Sequence, residues 1–207
     1  MTPQPRQRMG KKQRSMGVEP SPSSQPLDVV SQNVWFRPVY LLFWATYLTA
    51  LWFVLGPSNP WYAISVAWAT CAVVPAVPVA LMRRVPRRWF RVPAGERVLH
   101  RLVGVGVFGW LLDVSGWNRH VLEPLRGFSG TRAGLPALEK SVRDSTAAHG
   151  LCFAVHILLA VLALFSSDPL RAALWMLLPG VVVHFYPVLL QRSVMLRLQP
   201  LLVKSGS

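Results

Sequence analysis

Two apolar runs decide the fold: Ala147-Ala-His-Gly-Leu-Cys-Phe-Ala-Val-His-Ile-Leu-Leu-Ala-Val-Leu-Ala-Leu-Phe165 and Ala172-Ala-Leu-Trp-Met-Leu-Leu-Pro-Gly-Val-Val-Val-His-Phe-Tyr-Pro-Val-Leu-Leu190. Only Ser166 to Arg171 separates them. Each run is ~19 residues, and at ~1.5 Å of rise per helical residue that is about the reach needed to cross a ~30 Å hydrocarbon core. Two further runs, Val39 to Leu55 and Trp61 to Met82, flank Gly56-Pro57-Ser58-Asn59-Pro60, residues that end one helix and start another. The sequence therefore predicts an all-α integral membrane protein. Its four transmembrane helices form two hairpins, with spans at about 39–55, 61–82, 147–165 and 172–190.

The distribution of charge orients these spans. Of 22 Lys and Arg, 6 precede the first span, none lies between the first two, 12 fall in the middle segment, 1 lies between the last two and 3 follow the fourth. Twenty-one thus share one side, which the positive-inside rule assigns to the cytoplasm together with both termini. The formal charge of +14 could suggest nucleic acid, but the basic residues flank apolar spans, as Arg83, Arg84, Arg87, Arg88 and Arg91 do. Anionic headgroups of the cell membrane are the expected partner, at roughly 1 kcal/mol per basic residue near the surface, and no nucleic acid is expected. A mean hydropathy of +0.36 agrees with residence in lipid. Cys71 and Cys152 both fall within spans and are expected as free, packed thiols.

Residues 1–33, rich in Pro, Ser and Gln, read as a disordered basic tail, and 34–204 as one membrane domain. Trp35, Tyr40 and Trp44 are expected near headgroup level, and Pro75 and Pro78 should kink the second span. The cytoplasmic segment 83–145 carries an apolar helical face through Val98, Leu99, Leu102, Val105, Val107, Phe108 and Leu112, so one or two short interfacial helices are expected there.

Polar residues at membrane depth are costly and mark candidate sites. His149, His156 and His184 all belong to the second hairpin, and a turn near Ser167 and Asp168 sets His184 opposite Phe153, between the levels of the other two. Gln191 and Arg192 then close the same end of the bundle. Such a cluster can supply a general base for acyl transfer to a hydroxyl. Three histidines at unmatched depths, without a His-Glu-x-x-His or paired-Cys pattern, give little reason to expect a metal, and no cofactor is expected. His100 and His120 read as surface residues. Glycine-rich phosphate loops, dinucleotide fingerprints and Gly-x-Ser-x-Gly elbows are missing, so nucleotide-dependent, nicotinamide and soluble hydrolase chemistries lack support.

The closing stretch Tyr186-Pro187-Val-Leu-Leu-Gln191-Arg192-Ser-Val-Met-Leu-Arg197-Leu198 resembles the carboxyl-terminal motif of the glycosyl-4,4'-diaponeurosporenoate acyltransferases, with Gln191, Arg192, Arg197 and Leu198 kept in spacing. Thr146-Ala147-Ala148-His149 resembles that family's Glu-x-x-His, and Glu96 through Phe108 resembles its Arg/Glu-rich stretch leading to Leu-Gly-Val and Phe. Thr146 stands where the family has Glu, and Ser193-Val194 where it has Tyr-Asn. Asp144 points about 200° away from Thr146 on a helix and is no substitute. The resemblance implies a membrane acyltransferase moving a fatty acyl group onto a hydroxyl of a glycosylated isoprenoid (carotenoid) or glycolipid. It implies His149 as the catalytic base and Arg192 and Arg197 as binding an anionic donor or headgroup, with Gln191 and His184 of the polar cluster also expected at the substrate. The other reading is a non-catalytic membrane protein on the same scaffold, whose arginines only anchor the last span.

Overall fold

A computed structural model describes residues 36–74, 85–122, 128 and 130–205. The expected amino-terminal tail and the kink at Pro75 and Pro78 lie outside these residues. Among the described residues every regular element is helical. The longer ones are α1 (Phe36–Leu55), α2 (Pro60–Val73), α3 (Glu96–Leu102), α4 (Val105–Val114), α5 (Leu135–Ala163), α6 (Pro169–Gly180) and α7 (Tyr186–Ser205).

Three stretches are long and apolar enough to cross a membrane: Arg37–Leu55, Arg132–Ala163 and Pro169–Val203. The second expected span, 61–82, is described only through α2 and Val74, so of the four predicted spans three reach full crossing length among the described residues. The last two are also longer than expected. α5 begins at Leu135, within the segment read as lying outside the hydrocarbon, and α7 runs on past Leu190 to Ser205. Residues 135–146 extend as helix because Lys140 and Asp144, 2.8 Å apart, and Arg143 and Glu139, 3.3 Å apart, are ion pairs at i,i+4 spacing that suit a polar helix face.

The first hairpin turns where the sequence expects. Gly56 takes φ +78, a left-handed conformation that favours glycine, and the Asn59 side chain accepts from the Trp61 amide at 2.9 Å, capping α2 ahead of Pro60. The Tyr40 hydroxyl donates to the Ala72 carbonyl at 3.2 Å, and Trp52 meets Tyr62 edge to face, pinning α1 on α2. The outer face of α1 is apolar and uncovered, with Phe53 82% and Val54 77% exposed, which suits lipid rather than water.

The amphipathic segment forms the two short helices anticipated, α3 and α4, broken at Gly104 with φ +71. It folds back onto α7, where Tyr186 donates to the Val103 carbonyl at 2.9 Å and stacks on Phe108.

Two apolar clusters hold the long hairpin together. One, near its turn, joins Tyr62, Ala63 and Val66 of α2 to Ala160 and Ala163 of α5 and Ala172, Ala173 and Met176 of α6. Its many alanines let backbones approach closely, as helices in lipid require. The other, at the far end, packs Val92, Leu135, Leu138 and Val142 against Met195 and Leu198. Between these clusters along the chain lie the three histidines.

Candidate functional site

Pro179 supplies no amide hydrogen, and immediately after Gly180 the backbone widens into a π turn over Val181–Phe185. That turn carries His184, whose ring lies 5.6 Å from the ring of His149 and 5.3 Å from that of His156, centroid to centroid. His156 and His184 are fully buried and His149 is half-buried. Close approach of α5 and α6 depends on Gly180, because a Cβ there would stand 2.7 Å from Cβ and Cγ of His156.

Each histidine has a defined partner. Nδ1 of His156 lies 2.8 Å from the Met176 carbonyl, and its Nε2 is buried without a partner. Nδ1 of His149 lies 3.3 Å from Nδ1 of His184, whose Nε2 lies 2.9 Å from Oγ1 of Thr70 on α2. The thiol of Cys152 donates to the Thr70 carbonyl at 3.5 Å. Among the described residues no cluster of His, Cys, Asp and Glu has the arrangement to hold a metal ion.

His149 borders two cavities. One, of about 600 Å³, is mainly apolar and is lined by Trp68, Phe108, Leu112, Val182 and Pro187 among others, with Gln191 and Cys71 beside His149. The other, of about 580 Å³, carries Lys140, Ser141, Asp144 and Ser145, and also reaches Cys71, His149 and His184. Both volumes are in the range that holds small-molecule ligands.

The sequence candidates divide into two groups. His149, His184 and Gln191 come together; Gln191 is buried and donates to the Ser145 hydroxyl at 3.3 Å. Arg192 and Arg197 border neither cavity. Arg192 forks onto Glu96 through bonds of 2.9 and 2.5 Å and donates a third, at 2.6 Å, to the Trp89 carbonyl. Arg197 is exposed and lines a separate cavity with Arg97, His100 and Arg101. Thr146, at the family's Glu position, donates to the Val142 carbonyl at 2.7 Å.

His100, expected at the surface, is buried at 6% exposure beside the Glu96–Arg192 pair. Desolvation holds its imidazole below the ordinary histidine range, Glu96 opposes that shift, and Arg192 adds to it. Thr70 has no signal in the sequence, since a hydroxyl in an apolar helix carries no pattern of its own, and Cys71, expected as a packed thiol, is instead exposed and borders both cavities. The π turn did have a signal, the Pro179-Gly180 pair in the middle of an apolar run.

The fold and site define an all-helical bundle of membrane-spanning type, in which an apolar cavity and a more polar one meet at a histidine. The chain belongs to the glycosyl-4,4'-diaponeurosporenoate acyltransferase family, whose model matches residues 86–204, more than half of its length. No curated protein and no solved structure matches it.

Proposed function

We propose that this protein is an acyltransferase of the cell membrane that moves a fatty acyl group onto a hydroxyl of a glycosylated carotenoid, with His149 as general base. The observation that carries the reading is the position of His149 between the two cavities. Acyl transfer between a lipid chain and a sugar needs an apolar slot and a polar-lined space that share one base. The slot bounded by Trp68, Phe108 and Val182 suits an acyl or isoprenoid chain, and the second space, whose largely apolar wall also carries Lys140, Ser141 and Asp144, offers those polar groups to a sugar. Family membership supports a glycosylated carotenoid as the acceptor class.

In this mechanism the acceptor hydroxyl attacks the acyl carbonyl and its proton passes to His149. Collapse of the tetrahedral adduct forms the ester and expels the donor's leaving group, which takes that proton and returns the imidazole to its starting state. Gln191 stands at the apolar cavity to contact the reacting groups, and His184 acts beside His149. Exposed Arg197, with Arg97 and Arg101, offers cationic groups to an anionic donor or headgroup, whereas Arg192 is engaged by Glu96. Both termini face the cytoplasm in this scheme, in keeping with the charge distribution.

The test supplies membranes containing the full chain with glycosyl-4,4'-diaponeurosporenoate and a long-chain acyl thioester, and follows the ester by mass spectrometry. His149→Ala should abolish product while leaving the protein in the membrane. Undiminished product in that variant refutes the base; no product from the unaltered chain favours the non-catalytic scaffold.

A further inference from the structure

We infer that Thr70, on the amino-terminal hairpin and outside the family match, is a positioning residue that acts through His184 to fix which nitrogen of His149 is free to take a proton. The inference rests on the proposed acyl transfer for its functional meaning, but its geometry is independent of it.

Donor counting leads along the chain of contacts. Oγ1 of Thr70 lies 2.9 Å from the Val66 carbonyl and 2.9 Å from the Ala67 carbonyl, and both oxygens only accept. The hydroxyl has one proton, and it goes to these carbonyls, as a threonine within a helix commonly directs it. What Oγ1 then presents to His184, 2.9 Å away, is a lone pair, so Nε2 of His184 must carry hydrogen and donate. A neutral imidazole protonated at Nε2 has a bare Nδ1. That bare nitrogen faces Nδ1 of His149 at 3.3 Å, and two bare nitrogens would repel, so His149 carries hydrogen on Nδ1.

The lone pair of His149 is left on Nε2, the edge of the ring turned away from His184. Nε2 makes no hydrogen bond among the described residues, and His149 borders both cavities. His156 does not disturb the order, because its Nδ1 is committed as donor to the Met176 carbonyl. A second-group contact that fixes tautomer and ring orientation is what makes a histidine an effective base, and the wrong tautomer can cost several orders of magnitude in rate. Here a hydroxyl and a second imidazole do what a carboxylate does in serine hydrolase triads, in a chain whose family Glu position holds Thr146.

The experiment uses the full chain in detergent micelles with ¹⁵N-labelled histidine. The His149 signals, assigned by their loss in His149→Ala, should report a protonated Nδ1 and an unprotonated Nε2. Thr70→Val should shift them toward the Nε2-protonated form that a free histidine side chain prefers, and Thr70→Ser should restore them. In the acyl-transfer assay above, Thr70→Val should lower kcat roughly 10- to 100-fold with KM changed less than about twofold. An Nε2-protonated His149 in the unaltered protein overturns the inference even if Thr70→Val fails to fold. So does a Thr70→Val protein with unchanged His149 signals and unchanged kcat. If His149→Ala keeps full activity while the tautomer is as stated, the acyl-transfer reading falls and the relay stands.

Discussion

Truncating Arg192 to alanine should destabilise the bundle by about 3 kcal/mol. The guanidinium makes three bonds, two to the Glu96 carboxylate and one to the Trp89 carbonyl, and so ties α7 to both α3 and the 3₁₀ turn Arg87–Phe90 ahead of it. Hydrogen bonds to charged groups contribute about 1.5–3 kcal/mol each when fully formed, and exposed ion pairs about 0–1. The two side chains are 20% and 22% exposed, so solvent screens part of the interaction and a simple sum would overstate it. About 3 kcal/mol for the single truncation lies between these limits, with about 2 kcal/mol of it as coupling to Glu96 in a double-mutant cycle. Arg192→Lys should recover less than half, because an ammonium cannot bridge two carboxylate oxygens as a planar fork does. The cycle of Arg192→Ala and Glu96→Ala can be read by SDS-driven unfolding of the full chain, followed by circular dichroism. Coupling under about 0.5 kcal/mol would refute the bracing role. A stable Arg192→Ala protein whose KM for acyl donor rises more than tenfold would place the residue at the substrate instead.

Two further outcomes follow from the same geometry. Gly180→Ala should cost about 2–3 kcal/mol or more, since its Cβ would meet Cβ of His156, an atom fixed to the α5 backbone, at 2.7 Å, and Cγ of the same fully buried ring at 2.7 Å; an unchanged unfolding midpoint would mean that α5 and α6 do not approach as described. The lowered His100 pKa means that the folded state binds fewer protons than the unfolded one, so its contribution is present above the ordinary value near 6.5 and is lost as pH falls through the folded value. The melting temperature should therefore fall between about pH 7 and 5, and His100→Gln should flatten that fall; identical pH profiles would refute it.

The second hairpin was largely legible in the sequence. A tight turn fixes where two helices start, the helical rise fixes their register, and so His184 could be set between His149 and His156 without coordinates. Contacts between segments far apart in sequence are not legible. Thr70 meets His184 across 114 positions and Arg192 meets Glu96 across 96, and neither pairing leaves a periodic trace. His100 reads as a surface residue in the sequence for the same reason, because Glu96, next to it on α3, meets Arg192 of α7 only in the fold. The early start of α5 leaves no mark in hydropathy, which drops before Ala147 while the helix runs on to Leu135. Polarity marks where a helix leaves an apolar medium and has no power to end the helix itself.

The length of α5 makes the bilayer a ruler. With the Ser166–Asp168 turn seated at one headgroup layer, His149 stands 14 residues before Ala163, or ~21 Å along the helix, roughly two-thirds of the way through a ~30 Å core. In the proposed acyl transfer, a sugar arriving from the opposite leaflet surface would have to descend ~9 Å into hydrocarbon to reach it. Thinner lipid would raise the imidazole toward the water and thicker lipid would sink it, so under the proposed reaction acyl-chain length in the surrounding membrane would set how far the acceptor must be dehydrated before it reacts.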